Sequence, residues 1–350
     1  MNHSQWKLLP AAPDESGITS LPPLIVQLLY NRGITSPTQF EPFIAADKEL
    51  ENDPFLLPDI HQAVARIYHA LLSGENIAVY GDFDVDGITA TAILVQGLSA
   101  LGGEVTPYIP HRLKDGHGLH LAALEGLYQH GISLVITVDC GITATAEVKE
   151  ARKMGLDIII TDHHTLLPTI PPAIAVANPR RSLDYPFHEL AGVGVAFKLL
   201  QALLYGRGED KLLEEMTDLV ALGTVADMVP LVGENRYLVK RGLETLNNTS
   251  RLGLQEIISG ARLKSGKLDS ESISWALGPR LNAAGRLGHA ITSYKLLTTS
   301  SPEEAGLLAA ELEQINTERQ RLTADILGRA REKVLAMGTD SPLLMVAGED

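Results

Sequence analysis

Residues 76–87 read Asn-Ile-Ala-Val-Tyr-Gly-Asp-Phe-Asp-Val-Asp-Gly. The first five residues form a short apolar run of the kind that becomes a buried β-strand. Three carboxylates then alternate along a loop, and residues 88–101 continue as an apolar stretch that predicts a helix. A strand, a short loop and a helix in this order indicate the start of a β-α-β unit.

The same alternation continues along the chain. Further strands are predicted at residues 105–109, 133–138, 157–161 and 173–177, with helices at 119–130 and 144–154 between them. Strands that alternate with helices predict an α/β fold, in which a parallel β-sheet is flanked by helices.

After Pro179 the chain is predicted to be mainly helical, with helices at 193–205, 211–222, 236–246 and 270–277. Residues 302–337 contain no proline after the first position and are rich in good helix formers, which predicts one long connecting helix. Residues 343–347 are apolar and are expected to begin a strand of a second domain that is largely missing from this chain.

The composition is that of a folded protein, because 45% of the 350 residues are hydrophobic and 21% are charged. The single cysteine, Cys140, excludes a disulfide framework and favours a reducing compartment. Residues 1–10 lack a secretory signal pattern, and no apolar stretch is long enough to span a bilayer. We therefore expect a soluble, cytoplasmic protein.

The net charge of −14 argues against broad electrostatic binding to duplex DNA. It does not exclude a narrow groove lined by a few arginines, and a carboxylate cluster becomes locally positive once it holds divalent cations.

The acidic loop places Asp82, Asp84 and Asp86 at alternate positions, where they would repel one another unless a cation neutralises them. A calcium-binding EF-hand opens with the same pattern, but its twelfth position needs a glutamate and is Ile93 here. The element before the loop is also a β-run rather than a helix. A solvated acidic turn stays open as the alternative.

Acidic and imidazole groups also follow later elements of the predicted fold. Asp139 follows the third strand, Asp162, His163 and His164 follow the fourth, and Asp227 ends an apolar helix. Each alone could be a turn or a helix cap. Ligands of a parallel sheet gather at the carboxyl ends of its strands, so we expect these groups to converge. Carboxylates and imidazoles without a thiolate suit Mn²⁺ or Mg²⁺.

The chain resembles the DHH phosphoesterase superfamily in four segments that have the order and spacing of its motifs: 82–87, 138–141, 162–164 and 226–230. Three more segments are similar to the RecJ branch: 52–59, 110–119 and 278–286. The resemblance covers nearly the whole chain from about residue 50. His117 departs from it, because relatives commonly carry tyrosine there.

The resemblance implies a 5′-to-3′ exonuclease specific for single-stranded DNA, acting in recombination and repair with two Mn²⁺ or Mg²⁺ ions. A helicase and a single-strand binding protein are candidate partners. The resemblance divides the chain into a helical lead-in (1–60), a DHH catalytic domain (61–235), a helical segment with a DNA-contacting motif (236–300), the connecting helix (301–338) and the start of a DHHA1-like domain (339–350).

The resemblance also assigns roles to residues. The metal ligands it implies are Asp84, Asp86, Asp139, His163 and Asp227, and we expect Asp86 and Asp139, on neighbouring strand ends, to bridge the two ions. The groups expected to assist catalysis are His164, which would touch the scissile phosphate, and Asp162 and Asp82, which would support the other groups. Substrate contacts are expected from Arg112, Arg280, Asn282 and Arg286.

Two other functions stay open. The first keeps the chemistry but acts on short oligonucleotides or cyclic dinucleotides. The second is a non-catalytic replication or repair scaffold, which would have lost the metal ligands that this sequence retains.

Overall fold

The computed structural model describes residues 7–13, 21–112, 114–337 and 343–348. Its centre is a sheet of five parallel strands in the order β2-β1-β3-β4-β5. The strands are β1 (Asn76–Tyr80), β2 (Val105–Tyr108), β3 (Ile132–Val138), β4 (Asp157–Thr161) and β5 (Ala175–Ala177). The predicted parallel sheet is therefore confirmed.

Helices cover the sheet and form most of the remaining chain. They are α1 (Pro23–Tyr30), α2 (Pro37–Ala45), α3 (Ile60–Ser73), α4 (Val85–Ala100), α5 (Leu121–Gln129), α6 (Thr145–Met154), α7 (Gly192–Leu204), α8 (Asp210–Ala226), α9 (Gly233–Leu246), α10 (Leu252–Gly260), α11 (Ser270–Ser272), α12 (Gly278–Leu287), α13 (Ile291–Thr298) and α14 (Pro302–Met337). Short 3₁₀ turns occupy Lys48–Leu50, Pro54–Leu56 and Pro179–Arg181, and a π-helical turn occupies Ile273–Leu277.

Helices cover both faces of the sheet. Neighbouring residues of a strand point to opposite faces, so they join different cores. In β1, Ile77 and Val79 join the core formed with α3, α4 and α7. Ala78 and Tyr80 join a second core with α5 and α6. This two-sided burial explains why the strands are apolar runs without alternation.

Helix α4 begins at Val85, three residues earlier than the sequence predicted. The Oδ1 atom of Asp84 accepts a hydrogen bond from the backbone N–H of Gly87 at 3.1 Å and so caps the helix. Asp86 therefore lies in the first turn of α4 rather than in a free loop.

The helical part packs against α4 and extends away from the sheet. The first half of α14 packs on α10, α12 and α13 and buries Ala305, Leu312 and Asn316. Among the described residues, no helix has both the length and the apolar character that a membrane crossing needs.

The strand predicted at residues 343–347 is wrong, since residues 343–348 have no strand conformation. A strand needs a partner for its backbone groups. Here Lys333 of α14 instead donates a hydrogen bond to the carbonyl of Ala347 at 3.1 Å. Helices α3, α10 and α13 were not predicted.

Candidate metal centre

The strand order places a crevice at the carboxyl ends of β1 and β3. In open α/β sheets, ligands bind where the connections from two neighbouring strands leave towards opposite sides. Here the chain passes from β1 to β2 on one side and from β3 to β4 on the other, so the crevice lies between β1 and β3. The acidic loop leaves β1 at this point and Asp139 follows β3. The loop after β4 brings His163 and His164 to the same edge.

His163 lies at the centre of the cluster. Its Nε2 atom is 3.1 Å from Oδ1 of Asp139, 3.7 Å from Oδ2 of Asp227 and 3.9 Å from Oδ2 of Asp86. Asp227 reaches this point because α8 continues to Ala226 and ends there. The convergence expected from the sequence is therefore present in the structure.

Three groups of side chains each bring their ligand atoms within 4.8 Å of one another. They are Asp139 with His163 and His164, Asp86 with His163 and Asp227, and Asp82 with Asp84 and Asp139. Asp139 and His163 each belong to two groups, whereas Asp86 belongs to one. The geometry thus favours Asp139 over Asp86 as a bridge.

The unpaired atoms of this cluster fit divalent cations. Oδ1 of Asp139, Nε2 of His163 and Oδ1 of Asp82 are buried and have no hydrogen-bond partner within the described ranges. Buried polar atoms without partners are rare and destabilising. A cation held by oxygen and imidazole ligands would satisfy all three, and such a donor set suits Mn²⁺ or Mg²⁺.

Burial and mutual repulsion disfavour the charged form of the carboxylates in this cluster. Burial, and next the charge of Asp84, raise the pKa of Asp86 to about 7. Burial, and next Asp86, raise the pKa of Asp227 to about 7. The same two causes raise the pKa of Asp139 well above its usual range, and burial with Asp82 raises that of Asp84. A bound dication would reverse this balance.

Burial lowers the pKa of His163, so its imidazole is neutral near pH 7. A neutral imidazole keeps the Nε2 lone pair that a metal needs. Arg180 also supports this residue, since its Nε atom donates a hydrogen bond to the His163 carbonyl at 3.0 Å.

Asp86 is held by the beginning of α7. The backbone N–H groups of Gly192 and Val193 each donate to its carboxylate at 2.7 Å. This approach requires glycine at 192, because a Cβ atom there would lie 2.6 Å from Cβ and Oδ1 of Asp139.

Asp162 orients the two histidines and is not itself a free ligand. Its Oδ1 atom accepts hydrogen bonds from the backbone N–H of His163 at 2.7 Å and from Nδ1 of His164 at 2.7 Å. Its Oδ2 atom accepts from the N–H of Ile142 at 2.9 Å. The hydrogen bond that Nδ1 of His164 donates to Asp162 raises the pKa of His164 to about 9. His164 is therefore a cation near neutral pH, and among the described residues nothing accepts a hydrogen bond from its Nε2–H, which could face an anion.

His117 joins the site through Asp82. Its Nδ1 atom lies 3.0 Å from Oδ2 of Asp82, and that contact raises the His117 pKa. Its ring packs edge-on to the His164 ring, with 5.9 Å between the centroids.

The four side chains expected to contact substrate are placed differently. The guanidinium of Arg112 lies over the ring of Phe83, 4.9 Å from the centroid, beside the acidic loop. Asn282 accepts a hydrogen bond from the N–H of Val85 at 3.0 Å, which ties α12 to the start of α4. Arg286 is exposed on α12.

Arg280 is bound within the protein in this structure. Its guanidinium donates to both carboxylate oxygens of Glu313, at 2.5 and 3.3 Å, and to the Ala276 carbonyl at 3.0 Å. The side chain thus joins α12 to α14, and its contact with substrate stays a prediction.

Several supporting contacts were missed from the sequence. The backbone N–H groups of α7 that bind Asp86 cannot be recognised from side-chain types in the sequence. A glycine before an apolar helix is only a weak indication that another group approaches closely. No local pattern indicates that Arg180 and Arg181 support the site either. Arg180 contacts His163, and Arg181 pairs with Asp59 at 2.5 Å.

Comparison with known proteins agrees with this geometry. Residues 76–224 match the model of the DHH family, N-terminal domain. The single-stranded-DNA-specific exonuclease RecJ of Bacillus subtilis strain 168 is 41% identical over 350 aligned residues, covering 98% of this chain and 44% of its own length. The chain spans about half the length of the curated relatives it matches, 44% of this one and 54% of Escherichia coli K12 RecJ.

Several solved structures are similar, and two of them contain manganese. A RecJ from Thermus thermophilus in complex with Mn²⁺ is 36% identical, with a TM-score of 0.75 over 88% of this chain and 44% of that chain. An exonuclease RecJ bound to manganese is 40% identical, with a TM-score of 0.73 over 81% of this chain and 71% of that chain. Because it is 40% identical to this manganese-bound RecJ and covers 71% of it, the chain belongs to the RecJ family of DHH proteins.

Proposed function

We propose that this protein is a metal-dependent exonuclease that degrades single-stranded DNA from 5′ to 3′ in recombination and repair. The observation that carries the proposal is the pair of buried, unpartnered atoms, Oδ1 of Asp139 and Nε2 of His163, which belong to overlapping ligand groups. Membership of the RecJ family supports the substrate, because the curated relatives are named single-stranded-DNA-specific exonucleases. The 5′-to-3′ polarity is proposed from the resemblance of the sequence motifs to that family.

We propose two ions of Mn²⁺ or Mg²⁺ as the cofactor, as in RecJ structures that contain one or the other metal. The proposed ligands are Asp84, Asp86, Asp139, His163 and Asp227. When bound, such ions supply Lewis acidity and an activated water for phosphodiester hydrolysis.

The protein's own groups then bind and orient the phosphate. The His164 imidazolium, fixed through Nδ1 by Asp162, would donate from Nε2 to a phosphate oxygen. Asp82 would hold His117 at the rim through its Oδ2 atom. Asp162 keeps both histidines in one orientation through three hydrogen bonds to Oδ1.

The substrate path is proposed to pass Arg112, Asn282 and Arg286. Residues 61–235 would form the catalytic domain, residues 236–300 the helical DNA-contacting segment and residues 301–338 the connecting helix. An enzyme that needs single strands would work in the cytoplasm with a helicase that produces them and a single-strand binding protein that covers them.

The test compares degradation of one long strand labelled at either end, with and without Mn²⁺. We expect a 5′ label to be released early from the single strand, whereas a blunt duplex should not be degraded. Asp139→Asn should lose the activity. Glu150→Gln, which changes an exposed acid of α6, is the matched control and should keep wild-type activity.

Each rival function gives a different result. Faster turnover of a dinucleotide than of the long strand would favour the small-substrate phosphodiesterase. No Mn²⁺ binding by calorimetry would favour the scaffold. Early release of a 3′ label would overturn the proposed polarity.

A further inference from the structure

A groove of about 550 Å³ lies beside Asp227, between the end of α8, the π-helical turn, α12 and α14. Met228, Trp275, Asn282, Arg286 and Arg319 are among the residues that line it. We name it the Trp275 groove. It is separate from the cluster of carboxylates and histidines, whose ligand atoms do not line it.

Two large apolar side chains at this groove face solvent. Trp275 is 82% exposed and Met228 is 88% exposed. Both flanking residues of the π-helical turn, Ile273 and Leu277, are fully buried, and the wide turn leaves Trp275 on the outside. π-helical turns interrupt α-helices mostly at functional sites. An exposed tryptophan has a large unfavourable contact with water unless a ligand covers it.

The backbone at Met228 is strained. Its φ is +63°, in the left-handed region that side chains other than glycine and asparagine rarely adopt. Such strain concentrates at functional sites. Here it places the exposed thioether directly after Asp227.

The groove is positive in a chain whose net charge is −14. Arg286 and Arg319 line it, and no carboxylate does. Within the part of the chain that the structure describes, Arg286 has no ion pair, and Arg319 donates only to the neutral Oδ1 of Asn316, at 2.9 and 3.3 Å. Arg280 of the same helix differs, because Glu313 neutralises it.

The groove lies next to the metal centre. Ala226 and Met228, which flank Asp227, lie in its wall. Asn282 lines it and accepts the hydrogen bond from Val85, the residue between Asp84 and Asp86. A chain with one phosphate at the acidic cluster would therefore place its neighbouring nucleotides in the groove.

We infer that the Trp275 groove binds an unpaired nucleobase against the indole of Trp275, while Arg286 and Arg319 bind the adjoining phosphates. An indole face and two unpaired guanidiniums form the combination that grips single strands without reading sequence. A base inside a duplex has its faces covered by neighbours and cannot stack there. The inference rests on the proposed function and names the side chain that would select single strands.

The test uses Trp275 as its own reporter. The chain has two tryptophans, so Trp6→Phe leaves Trp275 as the single source of indole fluorescence. The probe is an oligothymidylate with phosphorothioate linkages, which slow hydrolysis, added with Mn²⁺. We expect strong quenching by this probe and little quenching by an abasic strand of equal length, which has the charges without the bases.

Binding and activity measurements complete the experiment. Trp275→Ala should weaken oligonucleotide binding by about tenfold or more, while Trp275→Phe should stay within about threefold. Tyr128→Ala, which removes an exposed aromatic ring from α5, is the matched control and should bind as the wild type does. Mn²⁺ affinity should be unchanged in all three variants.

The possible failures are distinguishable. One outcome is that the wild type degrades single strands while the probe fails to quench Trp275 and Trp275→Ala binds the oligonucleotide as the wild type does. That result would overturn the inference and leave the proposed function standing. If the probe quenches Trp275 but no strand is cut, stacking stands and the exonuclease proposal fails. Self-association of the protein that Trp275→Ala abolishes, without quenching by the probe, would assign the surface to protein docking and overturn the inference.

Discussion

Nε2 of His163 lies 3.1 Å from Oδ1 of Asp139, yet neither atom has a hydrogen-bond partner among the residues that the structure describes. One atom belongs to the loop after β4 and the other to the loop after β3. Two buried polar atoms that face each other without a hydrogen-bond partner among the described residues fit a divalent cation held between them. Because both atoms belong to two ligand groups, a change at either should affect more than one ion.

Replacement of Asp139 by asparagine should separate metal binding from stability. Asp139→Asn removes a buried carboxylate whose pKa is raised well above its usual range, so the metal-free variant should be as stable as the wild type or more stable by about 1 kcal/mol. The stabilisation by Mn²⁺ should largely disappear. Thermal unfolding with EDTA and with Mn²⁺ measures both effects, and a metal-free variant much less stable than the wild type would contradict them.

Metal binding should depend on pH through Asp86 and Asp227. Both carboxyls have a pKa of about 7 in the metal-free protein, so a cation must displace their protons below that pH. The apparent Mn²⁺ affinity should rise by about tenfold per pH unit for each proton displaced, up to about pH 7. Calorimetry in buffers of different protonation enthalpy measures the proton release, and pH-independent binding without it would refute the assignment.

The same shifts affect stability without metal. The unfolded carboxyls titrate near 4, so between about pH 4 and 7 the folded chain holds more protons than the unfolded chain. The metal-free protein should therefore lose stability as the pH rises through this window. Asp227→Asn should flatten the slope.

The hydrogen bond that His164 donates to Asp162 should control the charge of His164. With Asp162→Asn, the pKa of His164 should fall from about 9 towards its ordinary value near 6.5. The variant should also be destabilised by about 1–3 kcal/mol, because an amide donor would face the N–H of Ile142. NMR titration of the imidazole protons follows the pKa directly. An unchanged pKa would show that Asp162 does not hold the imidazolium.

A buried ion pair should contribute strongly to stability and help to hold Asn52 against the helices. Lys198 of α7 and Glu234 of α9 are fully buried and 2.8 Å apart, and Glu234 also accepts from Tyr185 and Asn52. Lys198→Ala should destabilise the fold by about 3–5 kcal/mol, because it leaves Glu234 charged without its partner. Urea unfolding measures the loss.

Two variants control this measurement. Lys198→Met combined with Glu234→Gln removes both charges and should recover most of the stability. Lys153→Ala breaks an exposed pair of 2.7 Å with Glu150 and should change stability by less than about 1 kcal/mol. Equal losses in the buried and exposed cases would argue against the burial of this pair.

Local sequence patterns predicted the strands and helices whose formation depends mainly on residues close together in the chain. Strand β1 and strand β4 have the predicted bounds, since each is an apolar run between clear turn signals. The meeting of Asp139 with His163 also followed from sequence, because carboxyl ends of parallel strands share one edge.

Contacts between distant parts of the chain could not be predicted in this way. The N–H of Gly192 reaches Asp86 across 106 positions, and Arg280 binds Glu313 across 33. Each depends on how whole helices pack, and no local pattern records that packing. The exposure of Trp275 likewise follows from a π-helical turn that the sequence did not indicate.

The close approach of α7 to the cluster gives the last prediction. In Gly192→Ala, the new Cβ would lie 2.6 Å from Oδ1 of Asp139, so the first turn of α7 must shift and weaken both amide contacts to Asp86. We expect Mn²⁺ affinity to fall by about tenfold or more, the size of effect seen when a ligand's supporting contacts are lost. Gly126→Ala is the control, because a Cβ there meets nothing within 4 Å and α5 should gain up to about 1 kcal/mol. Wild-type Mn²⁺ affinity in Gly192→Ala would mean that α7 does not hold Asp86 in place.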